Sequence, residues 1–296
     1  MNHVSSRRSW LQRSLRAGAA LGLSVALLPA SAQNKAEPLR IGYQKYGTLT
    51  VLKARGDLDK RLAAQGIEVK WTEFPAGPQL LEGLNVGSID FGTVGEAPPI
   101  FAQAAGADLV YVAHQPPAPS AEAIVVPKDS PLKSVAELKG KKVALNKGSN
   151  VHYLLLKALE KAGVKYGEVG VVFLPPADAR AAFERGAVDA WVIWDPFFAA
   201  AEKQLGAKVL ADGKGLVANH QFYLAARTYA DKRPQVIQAI VEELVKLDRW
   251  AEGNAKEVAA LQAPLRIREA VQLGFTRIVM PAANVDPADA VIGGCE

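Results

Sequence analysis

Cysteine is almost absent from this chain, and its scarcity excludes several kinds of chemistry. The only cysteine among 296 residues is Cys295, next to the last residue. A single cysteine forms no intrachain disulfide and cannot build a cysteine-based metal cluster. It also leaves no thiol nucleophile in the body of the chain. We therefore predict neither a disulfide framework nor a cysteine-based metal or catalytic centre.

Other signatures of catalysis are also missing. The four histidines do not stand at metal-site or triad spacing with a carboxylate: they are His3, His114, His152 and His220. The sequence has no Gly-x-Ser-x-Gly elbow, no P-loop and no dinucleotide fingerprint. We predict a protein without catalytic residues, bound metal or cofactor.

The first 32 residues have the pattern of a signal peptide. Four arginines without an acid precede an apolar stretch at residues 17–28, and a small-residue cleavage site at residues 30–32 precedes Gln33. This pattern predicts export to the periplasm. Residues 6–12 (SRRSWLQ) resemble a twin-arginine signal. Paired arginines also occur in general secretion signals, so both export routes stay open.

The basic balance of the full chain comes mostly from this segment. The formal charge of +5 falls to +1 once the four arginines of residues 1–32 are subtracted, so the charge does not indicate a nucleic-acid partner. After residue 32 no stretch reaches the roughly 18–20 apolar residues of a membrane helix. The remaining length is sufficient for two domains.

One sequence unit occurs twice. Apolar runs ending at Pro75 and Pro175, 100 residues apart, each precede a helical pattern, a glycine and a second apolar run with one aspartate, at residues 87–91 (GSIDF) and 186–190 (GAVDA). An earlier apolar run precedes each copy, at residues 39–43 and 142–145. The order strand, helix, strand, helix, strand predicts parallel strands with helical crossovers. The glycine stands where a helix end needs a positive φ.

This repeat predicts an α/β protein of two similar lobes. The proline-rich residues 115–120 and the run at residues 221–226 mark two places where the chain crosses between lobes, and residues 233–250 have helical periodicity. We predict lobe 1 at residues 33–120 with 219–265, and lobe 2 at residues 121–218. Two crossings make a hinge that opens and closes over a ligand.

Two polar turns predict an anion site between the lobes. Gly148, Ser149 and Asn150 open a helix expected at residues 153–162, where backbone N–H groups lack a helical acceptor. The turn at residues 93–96 stands at the equivalent place in the first lobe. The carboxyl ends of parallel strands are where open α/β sheets bind ligands. The candidates from the first lobe are Gln44, Thr48, Thr93, Gly95 and Glu96.

The segment after the last strand of the second copy predicts an apolar wall for the ligand's tail. Strand alternation places Trp191 and Ile193 on one face and Val192 and Trp194 on the other. We expect Trp194 to contact the ligand. Asp195 either orients a polar group of the ligand or caps the next helix.

Several segments resemble aliphatic sulfonate-binding proteins of ABC importers. The resemblance covers residues 38–262 and is carried by residues 41–45 (IGYQK), 73–79 (EFPAGPQ), 84–90 (LNVGSID), 98–106 (PPIFAQAAG), 176–183 (PADARAAF) and 194–196 (WDP). It implies a type II periplasmic-binding-protein fold that captures alkanesulfonates for sulfur supply. The implied partners are a membrane permease and its ATPase, and a monomer is expected. Residues 266–296 depart from the family pattern and form an atypical C-terminal tail.

Alternatives remain open at this point. The same fold with these donors suits taurine, nitrate or a thiamine precursor. A desulfinase-like enzyme on this fold is the alternative from another class, and it would require a nucleophile in the cleft.

Overall fold

The structure, a computed structural model, describes residues 37–262. The predicted signal peptide and the atypical tail lie outside the described residues. Among residues 37–262, no helix has the length and apolar character needed to cross a bilayer. The strands are β1 Leu39–Tyr43, β2 Val69–Glu73, β3 Phe91–Gly95, β4 Leu109–Gln115, β5 Glu122–Val126, β6 Lys142–Leu145, β7 Gly170–Phe173, β8 Ala190–Trp194, β9 Lys208–Asp212 and β10 Gln221–Ala226. The helices are α1 Gly47–Arg55, α2 Asp57–Ala63, α3 Gly77–Asn85, α4 Ala97–Ala104, α5 Asn150–Lys161, α6 Pro176–Glu184, α7 Phe197–Leu205, α8 Arg227–Lys232, α9 Pro234–Gly253 and α10 Ala255–Gln262.

The strands form two five-stranded sheets built to one plan. The first has the order β2-β1-β3-β10-β4 and the second the order β7-β6-β8-β5-β9. In each sheet the three strands of the repeated unit are parallel, as predicted. Each sheet also contains a strand that runs antiparallel to its neighbours, β10 in the first and β5 in the second. The sheets are therefore mixed, which the repeat alone did not predict.

The repeated glycine and aspartate have the same roles in both sheets. Gly87 and Gly186 follow α3 and α6 with φ of 69° each, as the helix-end pattern predicted. Asp90 Oδ2 accepts the backbone N–H of Arg40 at 2.8 Å, and Asp189 Oδ2 accepts that of Lys142 at 2.7 Å. Each carboxylate thus fixes the beginning of its third strand to the first strand of the unit.

Helices cover both faces of each sheet. On the first sheet, α1, α2 and α9 share one hydrophobic cluster, and α3 packs on the other face. Helix α9 begins at Pro234, a residue suited to a first helical position, and it covers the region predicted as helical. Its buried positions Val236, Ile240, Leu244 and Leu247 follow helical spacing. Burying each contributes about 1.5–3 kcal/mol.

Two segments connect the sheets, residues 116–121 after β4 and residues 213–220 after β9. They bond to each other: Ala118 N donates to Ala218 O at 3.0 Å, and Gly213 N donates to Pro119 O at 3.0 Å. A Cβ at Gly213 would lie 2.5 Å from Pro119 O, so glycine is required for this approach. We keep residues 37–120 with 219–262 as lobe 1 and residues 121–218 as lobe 2, an assignment that puts each sheet in one lobe.

Candidate functional site

A cavity lies at one edge of both sheets, between the lobes. Its empty space measures about 780 Å³, including open solvent at its mouth. The carboxyl ends of parallel strands meet at this edge, and so do the amino ends of the antiparallel strands. Gln221, the first residue of β10, pairs with Gly95 and Gln115, the last residues of β3 and β4. Glu122, the first residue of β5, pairs with Trp194, the last residue of β8. All five residues line the cavity.

The amino ends of two helices also line the cavity. At α1 these are the N-cap residue Tyr46 with Gly47 and Thr48, and at α5 the N-cap residue Ser149 with Asn150. Within the described part of the chain, neither helix has a side-chain hydrogen bond at its N-cap. The first N–H groups of a helix have no intrahelical acceptor and carry partial positive charge, so both ends favour an anion.

Cationic side chains are absent from the cavity wall among the described residues, which include no lysine, arginine or histidine at the wall. The two lysines nearest to the polar turns in sequence are engaged elsewhere. Lys45 Nζ pairs with Glu73 at 3.1 Å, and Lys147 Nζ lies 5.5 Å from the centre of the Phe173 ring. The donors of the site are therefore neutral groups.

Most of the residues named from sequence line the cavity: Gln44, Thr48, Gly95, Ser149, Asn150, Trp194 and Asp195. Gln44 is buried, and its Nε2 donates to Thr93 O at 3.0 Å. Thr48 Oγ1 accepts from Gln115 Nε2 at 2.7 Å. These bonds fix the polar rim of lobe 1.

The other three residues named from sequence do not line the cavity. Thr93 Oγ1 donates to Phe222 O at 3.1 Å, inside the first sheet. Glu96 accepts the backbone N–H groups of Asn219 and His220, each at 3.0 Å, and so anchors the second crossing segment. Gly148 lines a separate groove, and its N–H donates to His152 Nδ1 at 3.2 Å. The N–H of Gly148, expected to face the ligand, is therefore used within its own turn.

Ser149 and Asn150 differ in what they offer. The Ser149 hydroxyl donates to Asn146 O at 2.7 Å, which ties it to the preceding loop. Asn150 instead reaches the other lobe: its Oδ1 accepts from Ala97 N at 3.2 Å, at the start of α4. Its Nδ2 donates to Asn219 Oδ1 at 2.7 Å. Asn150 Oδ1 thus accepts the N–H group at the start of α4, the helix end that the sequence predicted as the second half of the anion site.

Asn219 joins the lobes and both crossing segments. Its Nδ2 donates to Ala118 O at 2.9 Å, and its Oδ1 also accepts from Gln221 Nε2 at 3.1 Å. Its φ of 53° lies in the left-handed region, which asparagine tolerates better than most residues. Asn219 therefore connects the two crossing segments to each other and to Asn150, at the hinge between the lobes.

The strand alternation predicted for β8 is confirmed. Trp191 and Ile193 lie in one hydrophobic cluster and Val192 in the other, while Trp194 contacts both clusters and lines the cavity. Asp195 Oδ1 accepts the backbone N–H of Ala199 at 3.0 Å, in the first turn of α7. Burial raises the pKa of Asp195 to about 6, although the bond from Ala199 opposes this shift. Asp195 thus caps a helix and lines the cavity at once.

Sequence reasoning missed several wall residues, chiefly Tyr46, Gln115, Glu122, Asn219 and Gln221. Gln115 ends a strand that runs parallel to β3, so the carboxyl-end rule applies to it. Glu122 and Gln221 begin the antiparallel strands. Each of these strands begins with a polar residue. That residue indicates a place in the cavity wall only when the direction of the strand is known.

Two of the histidines that looked isolated in sequence are neighbours in space. The rings of His114 and His220 are 6.0 Å apart, and the Nδ1 atoms of both lie near Gln115 O. Within residues 37–262, no group of three or more His, Cys, Asp or Glu residues is arranged to hold a metal ion.

Known proteins resemble this chain over most of its length. A protein of Escherichia coli (strain K12) named for binding aliphatic sulfonates is 46% identical over 276 residues, which are 93% of this chain and 86% of that protein. A Bacillus subtilis (strain 168) protein with the same name is 33% identical over 230 residues, 77% of this chain and 69% of that protein. The alkanesulfonate-binding protein SsuA from Xanthomonas axonopodis pv. citri bound to MOPS matches with a TM-score of 0.74 at 46% identity, covering 78% of this chain and 79% of that chain.

The fold and the cavity define the class: a two-lobed solute-binding protein with the type II periplasmic-binding-protein fold. The chain also matches the NMT1-like family over residues 32–264. It belongs to that family and to the family of the aliphatic sulfonate-binding proteins. The resemblance predicted from sequence is thereby confirmed.

Proposed function

We propose that this protein captures aliphatic sulfonates in the cavity between its lobes, without converting them, and delivers them to an ABC importer for sulfur supply. The observation that carries this proposal is the pair of helix ends, α1 and α5, that line a cavity to which residues 37–262 contribute no cationic side chain and no side-chain cap for either helix. A sulfonate stays ionised and only accepts hydrogen bonds, which suits such donors. The relatives named for sulfonate binding support the same ligand class.

Location and partners follow from this role. We propose a periplasmic monomer that is exported by the signal at residues 1–32 and that meets a membrane permease with its ATPase. The twin-arginine route is the finer proposal. Nitrate, taurine and a thiamine precursor are the competing ligands for the same cavity.

Thermal unfolding of the purified protein tests the ligand class. A ligand that binds only the folded state at 100 times its Kd adds about 2.7 kcal/mol, which raises the unfolding midpoint by roughly 5–10 °C in a chain of this size. We expect this rise with alkanesulfonates and not with nitrate or sulfate. A rise with nitrate or a thiamine precursor alone would overturn the proposal. Buffers without a sulfonate group are required.

Trp194 is expected to contact the tail of the ligand. Trp194→Ala should weaken octanesulfonate by about 1–2 kcal/mol, roughly 5- to 30-fold, because apolar contact area is lost. Methanesulfonate, which has almost no tail, should bind within about threefold of wild type. Calorimetric titration measures both affinities. Phe101→Ala is the control, since Phe101 is exposed and lies outside this cavity. Equal losses for both ligands would contradict the prediction.

A further inference from the structure

Glu122 is a buried carboxyl group for which the fold provides no partner. None of its surface is exposed to solvent, and neither carboxyl oxygen has a hydrogen-bond partner among the described residues. A buried, unpaired charge costs far more than a buried neutral group. Protonation lowers this cost, and a hydrogen bond to a ligand would remove much of what remains.

The position of Glu122 points to a ligand as the partner. The residue lines the cavity. It stands directly opposite Trp194 in the antiparallel pair of β5 and β8, so the two side chains share one face of the sheet. Ile124 and Val192 lie on that face and pack in the cluster that contains Val151, in the first turn of α5. Glu122 therefore stands between the predicted tail wall and the predicted anion-binding helix end.

The surroundings favour the neutral acid. Burial raises the pKa of Glu122 well above its ordinary value, and the negative charge of Glu96 raises it further. None of the titratable or charged groups on the elements packed around it bonds to Glu122. These groups are Glu96 before α4, Asp195 after β8, Asp212 and Lys208 in β9, His152, Tyr153, Lys157, Glu160 and Lys161 in α5, and Glu202 and Lys203 in α7.

We propose that Glu122 is a specificity-determining residue of the cavity, donating a hydrogen bond from its carboxylic acid to an oxygen of the bound anion. This inference rests on the proposed function, because it requires an anionic ligand. A sulfonate stays ionised and has no proton to donate, so a hydrogen bond between Glu122 and the sulfonate requires the proton on the Glu122 carboxylic acid. Capture of the ligand is thereby tied to the protonation of one side chain.

The sign of the pH dependence follows from the acid form. The bond forms while Glu122 is protonated, so affinity is fully present below the pKa of Glu122 in the ligand-free protein and falls as pH rises through it. The pKa of Asp195 is about 6, and burial and Lys147 lower the pKa of His152. Neither group titrates appreciably above pH 7, so the range from pH 7 to 9.5 isolates Glu122 from both.

The test compares three proteins by calorimetric titration with 1-propanesulfonate between pH 7 and 9.5, in Tris and bicine. Wild type should lose affinity as pH rises. Glu122→Gln keeps a neutral donor of the same shape, so its affinity should lie within threefold of wild type at pH 7 and stay flat with pH. Glu122→Leu has no donor and should bind at least tenfold more weakly at pH 7, with an unfolding midpoint no lower than that of wild type, because a buried polar group without a partner is removed. Asp195→Asn tests the other carboxyl group of the cavity wall and should keep the fall of affinity with pH. Glu252→Gln, at an exposed residue outside the cavity, is the matched control and should bind as wild type does.

Several results would overturn the inference. An affinity of wild type that rises across this range would do so, and so would wild-type affinity in Glu122→Leu, whether the wild-type profile falls or stays flat. Taurine and 1-propanesulfonate are close in size, so a preference for taurine that Glu122→Gln abolishes would mean that an ionised Glu122 binds the ammonium group instead. If wild type binds no sulfonate at any pH, the proposed function itself fails, which is a different result from sulfonate binding that does not depend on Glu122.

Discussion

Replacing Gly95 by alanine is expected to weaken sulfonate capture by about 2–4 kcal/mol, roughly 30- to 700-fold in Kd. A Cβ at Gly95 would overlap the side-chain amide of Asn150. Asn150 would have to turn away and lose its bonds to Ala97 and Asn219, which join lobe 2 to lobe 1 and to the hinge. Losing two buried hydrogen bonds between the lobes should hold the cavity open. Calorimetric titration with an alkanesulfonate measures the loss.

Two further variants isolate the cause. Gly167→Ala is the control, since a Cβ there meets nothing within 4 Å, and it should bind as wild type does. Asn150→Ala removes the same bonds and also makes room for the methyl group, so Gly95→Ala should add little to it. The two effects are thus expected to be strongly non-additive. Full additivity, or wild-type affinity in Gly95→Ala, would show that Asn150 is not the link between the lobes.

Asp90→Ala should produce a large loss of stability, about 2–3 kcal/mol. Asp90 is buried, and it accepts both the backbone N–H and the guanidinium of Arg40, with Nη2 at 2.5 Å and Nε at 3.0 Å. Its removal leaves these donors unpaired between β1 and β3, although Arg40 is partly exposed and water replaces some of the lost bonding. Thermal unfolding of the ligand-free protein should show a midpoint lower by roughly 5–10 °C.

The repeat supplies the matched control. Asp189 makes the equivalent bond to the backbone N–H of Lys142, but that bond is exposed, and no arginine within residues 37–262 pairs with Asp189 as Arg40 does with Asp90. Asp189→Ala should therefore cost only about 1 kcal/mol. A similar loss in both variants would mean that Arg40 contributes nothing, and a larger loss in Asp189→Ala would reverse the argument.

Much of the fold was predictable because the sequence repeats a local pattern. The glycines and aspartates of the two units marked helix ends and strand starts, and local conformation sets these features. Strand β9 and the antiparallel direction of β5 and β10 were not predicted, since they depend on how the chain returns between lobes. Pairing of this kind is decided by tertiary structure and leaves no periodic signal in the sequence.

The residues of the cavity wall also divide into those that the sequence predicted and those that depend on tertiary structure. Gln44, Thr48 and Trp194 follow parallel strands, and the carboxyl-end rule placed them at the cavity wall. Glu122 was not predicted, because a polar residue at the start of a strand indicates a binding site only when the direction of the strand is known. The donors of Gly148 and Ser149 were expected to face the ligand, but the Gly148 N–H donates to His152 in α5 and the Ser149 hydroxyl donates to Asn146 in the preceding loop. Such local bonds compete with ligand binding and cannot be read from residue type.

The position of β10 in the first sheet determines the order in which the two lobes can be completed. In lobe 2 the strands β5 to β9 come from one continuous stretch of chain, residues 122–212. In lobe 1, β3 and β4 do not pair with each other; each pairs with β10, which lies between them and is more than 100 residues later in the chain. As the chain is synthesised, lobe 2 has all of its strands first, while lobe 1 retains two unpaired strand edges. The N-terminal lobe is therefore the last to be completed, and a fragment that ends before Gln221 lacks its central pairing.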